Sequence, residues 1–267
     1  LPEALLVNYR TSTIHFFPQP EKNSVRVVVD PLPDSLHIQN HLKLTQGACG
    51  DWRNLLTIET IVDAENRNHF TVVLNGSFSR QCGKQSYMLS LQDSAIYTRE
   101  LFKRLWAQHG GLLHGDVVVR QMPQSLTPLE IYQSPPLADI LRGINKFSNN
   151  IAARQLYLTL GTGDAVIKNS PATLAKSDAA IQQWLAAKQL NFPELVVENG
   201  SGLSRKEQIS ARHMGQLLLA AFNSPVMPEF MSSLPIAAVD GTLKNRFADT
   251  PVKGLAHMKT GALNNVR

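Results

Sequence analysis

Short apolar stretches rich in Val, Ile, Thr and Phe, separated by clusters of Pro, Asn, Asp and Gly, fill roughly the first 84 residues. That punctuation predicts strands over residues 5–9, 11–17, 24–30, 55–62 and 70–75. Asp30-Pro31-Leu32-Pro33-Asp34 is the sharpest of the breaks between them. After Asp93 and Ser94, two candidate N-caps, the period lengthens. Ile96, Tyr97, Leu101, Leu105 and Trp106 then form one apolar helical face that stops at Gly110-Gly111. The change of period predicts a boundary near residue 85. Beyond it the pattern is mixed: a strand over 117–120, then helices from Leu137 to about Lys146 and from Asn149 to about Leu160, joined through Phe147-Ser148. A further helix opens with Ser170 as N-cap and Pro171 at its first position, running toward Leu190. Another opens at Ser210 and carries Met214, Leu217, Leu218, Ala221 and Phe222 on one side; residues 256–261 read as a strand. There is no internal repeat, so the pattern is that of an α+β protein, a β-rich module followed by a mixed one.

Composition narrows the class. With 267 residues, 43% hydrophobic and 18% charged, the chain is long and apolar enough for one large or two ordinary domains and is neither disordered nor fibrous. Its longest apolar runs, such as residues 217–222, fall well short of the roughly 20 needed to span a bilayer. The chain starts at Leu1 without a basic segment leading into an apolar one, so any export signal has been removed or lies upstream. Lys and Arg number 26 against 21 acids, a net charge of +5, but the cations are scattered and often adjoin acids, as in Arg99-Glu100 and Lys206-Glu207. That distribution argues against a nucleic-acid partner. Cys49 and Cys82 have neither metal-ligand spacing nor a C-x-x-C pattern, which leaves two free thiols or a disulfide open.

Two triplets carry the chemistry. Ser148-Asn149-Asn150 and Lys259-Thr260-Gly261 match S-x-N and K-T-G, signatures of β-lactamases and penicillin-binding proteins. Each alone has a plain explanation: Ser148 as N-cap of the helix from Asn149, and K-T-G as a surface turn. Their order and context give them weight, since S-x-N falls at a helix–helix junction and K-T-G follows on a predicted strand close to the chain end. Other constellations fail on spacing. His37 and His41 lack the Glu after the first His that a zinc protease helix needs. Gly161-Thr162-Gly163 lacks the third glycine of a dinucleotide loop. Gly200-Ser201-Gly202 follows Asn199 and so is not G-x-S-x-G, which makes Ser201 a turn residue near the cleft. No metal and no cofactor is indicated.

Two longer segments complete the pattern: Asn199-Gly200-Ser201-Gly202-Leu203-Ser204-Arg205, and Leu234-Pro235 through Asp240-Gly241-Thr242-Leu243. With the triplets, and in this order, they resemble the class C low-molecular-weight penicillin-binding proteins, the D-alanyl-D-alanine carboxypeptidase/endopeptidases of the penicillin-binding protein 4 type. The resemblance implies an incomplete β-lactamase/transpeptidase-like domain over residues 85–267, an antiparallel sheet with helices, preceded by a β-rich insert module over residues 1–84. It implies periplasmic export, and with it a Cys49–Cys82 disulfide. It also implies a serine DD-peptidase that hydrolyses D-Ala-D-Ala of peptidoglycan stem peptides as a carboxypeptidase, or their cross-links as an endopeptidase, through an acyl-enzyme and is inhibited by β-lactams.

Within that resemblance each residue has a role. Ser148 would relay a proton to the departing amine, and Asn150 would hold the substrate amide. Lys259 and Thr260 would grip the terminal carboxylate, Gly261 would let the peptide lie close, and the backbone N–H of Ala262 would form half of the oxyanion hole. Three departures stand beside it. No S-x-x-K, which supplies the nucleophilic Ser and its Lys, occurs in these residues; the nearest imitation is Thr173-Leu174-Ala175-Lys176. The chain stops six residues after Gly261, where the family continues with at least one more strand, and Ala262 stands where a Ser is usual. The chain is therefore expected to be a piece of a longer protein. The competing readings are a non-catalytic cell-wall-binding relative or fragment and, less favoured by the β-rich insert, a β-lactamase or esterase. Oligomeric state is not legible.

Overall fold

β1 (Ser12–Gln19) turns Ser12, Ile14 and Phe16 inward with half-buried residues between them, the two-residue period of a strand with one face on a core. It runs antiparallel to β2 (Ser24–Asp30) on one edge and to β7 (Gln85–Leu89) on the other. A second sheet is organised by the ten-residue β6 (Phe70–Ser79), with β3 (Leu36–Asn40) and β4 (Lys43–Thr45) parallel to it and β5 (Leu56–Val62) antiparallel. Both sheets feed one core: Ile14, Phe16 and Val25 from the first, Leu36, Val72, Leu74 and Phe78 from the second. The Phe16, Trp52 and Phe78 rings meet there with centroids 5.7–5.9 Å apart. Cys82 lies in the same core, bonded to Cys49 with their Cα atoms 4.7 Å apart.

The computed structural model describes residues 3, 5–121, 123, 126–163 and 171–263. They fall into two compact units that divide between Leu126 and Thr127, well past the predicted boundary near 85. Two elements move it. β7 pairs with β1, and α1 (Ser94–Gln108) is tied to the strands. Asp93 caps α1 as predicted, its Oδ1 accepting the Ile96 N–H at 3.0 Å. Tyr97 is buried and donates its hydroxyl to the Thr11 carbonyl at 2.8 Å, while Glu100 accepts the Ser35 hydroxyl at 2.7 Å. Two further expectations fail in this unit. Residues 5–9 form no strand, because Asn8, Tyr9 and Arg10 adopt left-handed φ of 46, 52 and 55°. Residues 117–120 pair with nothing among the described residues, and Val118 and Val119 are exposed. β3, β4 and β7 are strands the apolar pattern did not announce.

From Thr127 onward the elements are helical: α2 (Leu137–Phe147), α3 (Asn150–Leu160), α4 (Leu174–Ala187), α5 (Ala211–Phe222) and the short α6 (Met227–Ser233). α5 opens at Ser210, whose Oγ accepts the His213 N–H at 3.2 Å. α4 starts later than predicted. Ser170 lies outside the described residues, Pro171 precedes the helix, and the cap is Thr173, whose Oγ1 accepts the Lys176 N–H at 3.2 Å. The imitation of S-x-x-K is thus a helix-capping turn. Residues 256–261 make one antiparallel bridge, His257 to Ile236, where a longer strand was expected. Val196–Gln208 is a second antiparallel bridge of this unit.

Candidate active site

α2 ends at Ser148, which takes left-handed φ and ψ of 52 and 50°. A non-glycine residue holds that conformation at a cost of roughly 1–2 kcal/mol, and it lets the chain reverse within two residues. The Asn149 N–H still bonds back to the Ile144 carbonyl at 3.0 Å, while the Asn149 Oδ1 accepts the Ala152 N–H at 3.0 Å and opens α3. Asn149 is therefore the cap, and the plain explanation of Ser148 as an N-cap does not hold. The Ser148 hydroxyl is released from capping, and Lys259 donates to it at 2.8 Å across 111 residues of sequence.

Lys259 also donates to the Thr260 carbonyl at 2.8 Å, and loss of hydration around its ammonium lowers its pKa below that of an ordinary lysine. The Thr260 and Thr242 hydroxyls bond each other at 2.8 Å. Thr242 belongs to the segment from Leu234 to Leu243, and the structure explains that motif. Pro235, Ala237 and Leu243 are buried. The Asp240 Oδ1 accepts the Ile236 N–H at 2.8 Å, and its Oδ2 takes the Lys146 ammonium at 2.6 Å. Burial pushes the Asp240 carboxyl up, but the bonds from Lys146 and Ile236 outweigh it and leave the group below its usual range. Gly241, at φ +53°, is the one residue that fits next: a Cβ there would lie 2.4 Å from the Lys146 carbonyl oxygen.

The other long motif forms a stapled turn. Asn199 Oδ1 accepts the Ser201 N–H at 3.0 Å and its hydroxyl at 2.5 Å, and the Val196–Gln208 bridge closes the turn behind them. Gly200, at φ +74°, presses the backbone onto α3, where a Cβ would stand 2.6 Å from the Tyr157 Cβ. Ser201 is thereby placed in the cleft with its hydroxyl committed to Asn199.

These parts enclose an open cleft of about 580 Å³, within the range of small-molecule sites. All six residues given a role within the resemblance line it: Ser148, Asn150, Lys259, Thr260, Gly261 and Ala262. Ser201, Gly202, Leu203, Thr242 and Arg246 line it too. Of these, sequence reasoning had put only Ser201 near the cleft, although the glycines of both long motifs marked where backbone must pass close to its neighbours. Among the described residues that line it, Lys259 and Arg246 are cations and none is acidic. The cleft thus offers hydroxyl, amide and cationic donors suited to an anionic group.

A helical unit whose S-x-N turn meets K-T-G across such a cleft defines the transpeptidase/β-lactamase-like class of folds. The likeness to solved structures agrees: penicillin binding protein 4 (dacB) from Haemophilus influenzae, complexed with a novel β-lactam, superposes with a TM-score of 0.65 over 96% of this chain and 57% of that one, at 22% identity. The chain belongs to the D-Ala-D-Ala carboxypeptidase 3 (S13) family, whose profile matches residues 2–267. A D-alanyl-D-alanine carboxypeptidase from Actinomadura sp. (strain R39) is 28% identical over 228 residues, 82% of this chain and 40% of the relative. The D-alanyl-D-alanine carboxypeptidase DacB of Haemophilus influenzae is 26% identical over 211 residues, 78% of this chain and 43% of that protein. The chain spans less than half the length of these curated relatives. Among the described residues no helix is long and apolar enough to cross a membrane.

Proposed function

We propose that this cleft is the carboxylate-gripping and proton-transferring half of a penicillin-sensitive serine DD-peptidase site that acts on peptidoglycan stem peptides in the periplasm. The contact between Lys259 and Ser148, in a cleft whose described lining includes the cations Lys259 and Arg246, carries the reading. In it the Lys259 ammonium and the Thr260 hydroxyl bind the terminal carboxylate of the substrate. Ser148, held by Lys259, passes a proton to the departing D-Ala nitrogen, and Asn150 receives the substrate amide. The Ala262 N–H contributes to the oxyanion hole, a role independent of its methyl side chain. Carboxypeptidase and cross-link-cleaving endopeptidase action use the same chemistry and differ in what lies beyond the scissile bond. S-x-x-K is absent from these 267 residues, and the relatives are more than twice as long as the matched segment. The reading therefore draws the nucleophilic Ser and its Lys from sequence outside this chain.

Intact-mass measurement after exposure to benzylpenicillin tests the proposal. The full-length protein gains one acyl adduct, mapped to a Ser outside these residues. Lys259→Ala in it slows acylation by roughly 30- to 150-fold, the equivalent of about 2–3 kcal/mol for a charge-assisted anchor. The 267-residue chain alone gains none. A full-length protein that stays unmodified, or a stable adduct on Ser148, overturns the assignment.

A further inference from the structure

We infer that Lys146 and Asp240 are a positioning pair: lying outside the cleft, they set the S-x-N turn against the K-T-G segment at the spacing the Ser148–Lys259 contact needs. Neither residue lines the cleft. Lys146 is a buried lysine whose ammonium donates to Asp240 Oδ2 at 2.6 Å and to the Leu234 carbonyl at 2.7 Å. Taking an ammonium out of water is expensive, and an apolar pair of similar volume often gives equal or greater stability. Stability alone therefore does not account for a charge at this point. What the charge adds is direction, because both acceptors lie on the segment from Leu234 to Leu243, at its beginning and beside its glycine.

From that pair the contacts run in a closed ring. Two residues beyond Asp240, Thr242 bonds Thr260 at 2.8 Å. The neighbour of Thr260, Lys259, donates to Ser148 at 2.8 Å, and Ser148 stands two residues beyond Lys146. The ring has little slack. Gly241 lies against the Lys146 carbonyl where any Cβ would collide, and Ser148 is held left-handed between two helices. A second bond, from Asn145 Nδ2 to Ser233 Oγ at 2.8 Å, fixes the same turn of α2 to α6. Opening the ring at Lys146–Asp240 leaves every group of the cleft present but lets its two walls drift. Misplacement by about 1 Å can cost two orders of magnitude in rate.

The inference rests on the proposed function only for its kinetic readout. In the full-length protein, Lys146→Met combined with Asp240→Asn removes both charges and leaves no unpaired one. Benzylpenicillin acylation is resolved into a saturation constant and a limiting rate, alongside the melting temperature and amide hydrogen exchange. The limiting rate falls at least about tenfold and the saturation constant moves less than about threefold. The melting temperature stays near wild type, and exchange accelerates at the amides of Asn149 and Met258, which bond to Ile144 and Pro235. Lys146→Gln combined with Asp240→Asn, which also leaves no buried charge unpaired and keeps an acceptor for Ile236, is the milder variant and carries the test if the first double variant does not fold. A limiting rate at the wild-type value overturns the inference. So does a loss confined to the fraction of molecules that label, the signature of a merely structural pair. If the wild-type protein is not acylated, the functional reading fails by itself and exchange decides the inference: faster exchange at the two amides in a folded variant supports it, and unchanged exchange overturns it.

Discussion

Removing the Cys49–Cys82 bond should destabilise the β-rich unit and leave the cleft-bearing one untouched. The bond joins residues 33 positions apart. A loop of that length, freed in the unfolded chain, gains about 12.5 cal/mol/K, or about 3.7 kcal/mol at 25 °C. A unit of the size of residues 3–126 unfolds with an entropy of about 260 cal/mol/K near its midpoint, so the transition should fall by about 14 °C. Residual order in the unfolded state makes this an upper figure. Scanning calorimetry of the oxidised protein against Cys49→Ala/Cys82→Ala reads it directly, because alanine suits both the buried Cys82 and the half-buried Cys49 positions. The transition of the β-rich unit moves down and that of the Ser148–Lys259 unit stays in place. A fall of less than about 3 °C would refute the loop-entropy argument. Two titratable thiols in denatured, unreduced protein folded under oxidising conditions would refute the bond itself.

Three shorter tests address the helical unit. Asn149→Ala should cost about 1 kcal/mol in urea unfolding, the usual value of an N-cap, whereas Ser148→Ala should cost clearly less, since Asn149 and not Ser148 caps α3. Hydrogen bonding by Ser210, through its side chain and its N–H, and by His213 holds Glu194 at about 2, against 4.5 for an ordinary glutamate. A carboxylate depressed in the folded state stabilises fully above its unfolded pKa and loses that contribution as pH falls toward the folded value. The melting-temperature gap between wild type and Glu194→Gln should therefore be constant above about pH 5 and close between about 4.5 and 2; a gap that widens on acidification contradicts the sign. Ala262→Ser in the full-length protein should change acylation by no more than about threefold, because only the backbone N–H of that residue is assigned work.

The sequence carried the site further than it carried the fold. Ser148 and Lys259 are 111 residues apart and meet, because each lies in a short motif whose residue types are dictated by chemistry. Lys146 sits two residues from Ser148 and passed unnoticed, since a lysine in the last turn of a helix has an ordinary explanation in the helix dipole. Only tertiary packing reveals that its ammonium points into the protein. The plain alternative for Ser148, an N-cap, cannot be separated by propensity from its neighbour Asn149, because Ser and Asn are almost equivalent caps; the structure gives the cap to Asn149. Among the strands, β2 is where its alternating valines put it. β7, Gln85-Ser86-Tyr87-Met88-Leu89, has no β-branched residue and owes its conformation to β1, a partner more than sixty positions upstream that no local window contains. Conversely, residues 117–120 have the composition of a strand and find no partner among the described residues.

The pairing of β1 with β7 bears on how this protein should be cut. Ser12 lies opposite Leu89, so the first sheet pairs the two ends of its own segment, with the other strands falling between them in sequence only. A fragment ending at residue 84, the boundary that composition suggests, would strip β1 of its outer neighbour. The row of N–H and C=O groups beside Ile14 and Phe16 would then be bare, an open edge able to recruit the same edge of another copy. Expression of the β-rich unit should accordingly give aggregates when the clone stops at 84. One that runs through α1 to residue 126 keeps the edge covered and should remain monodisperse.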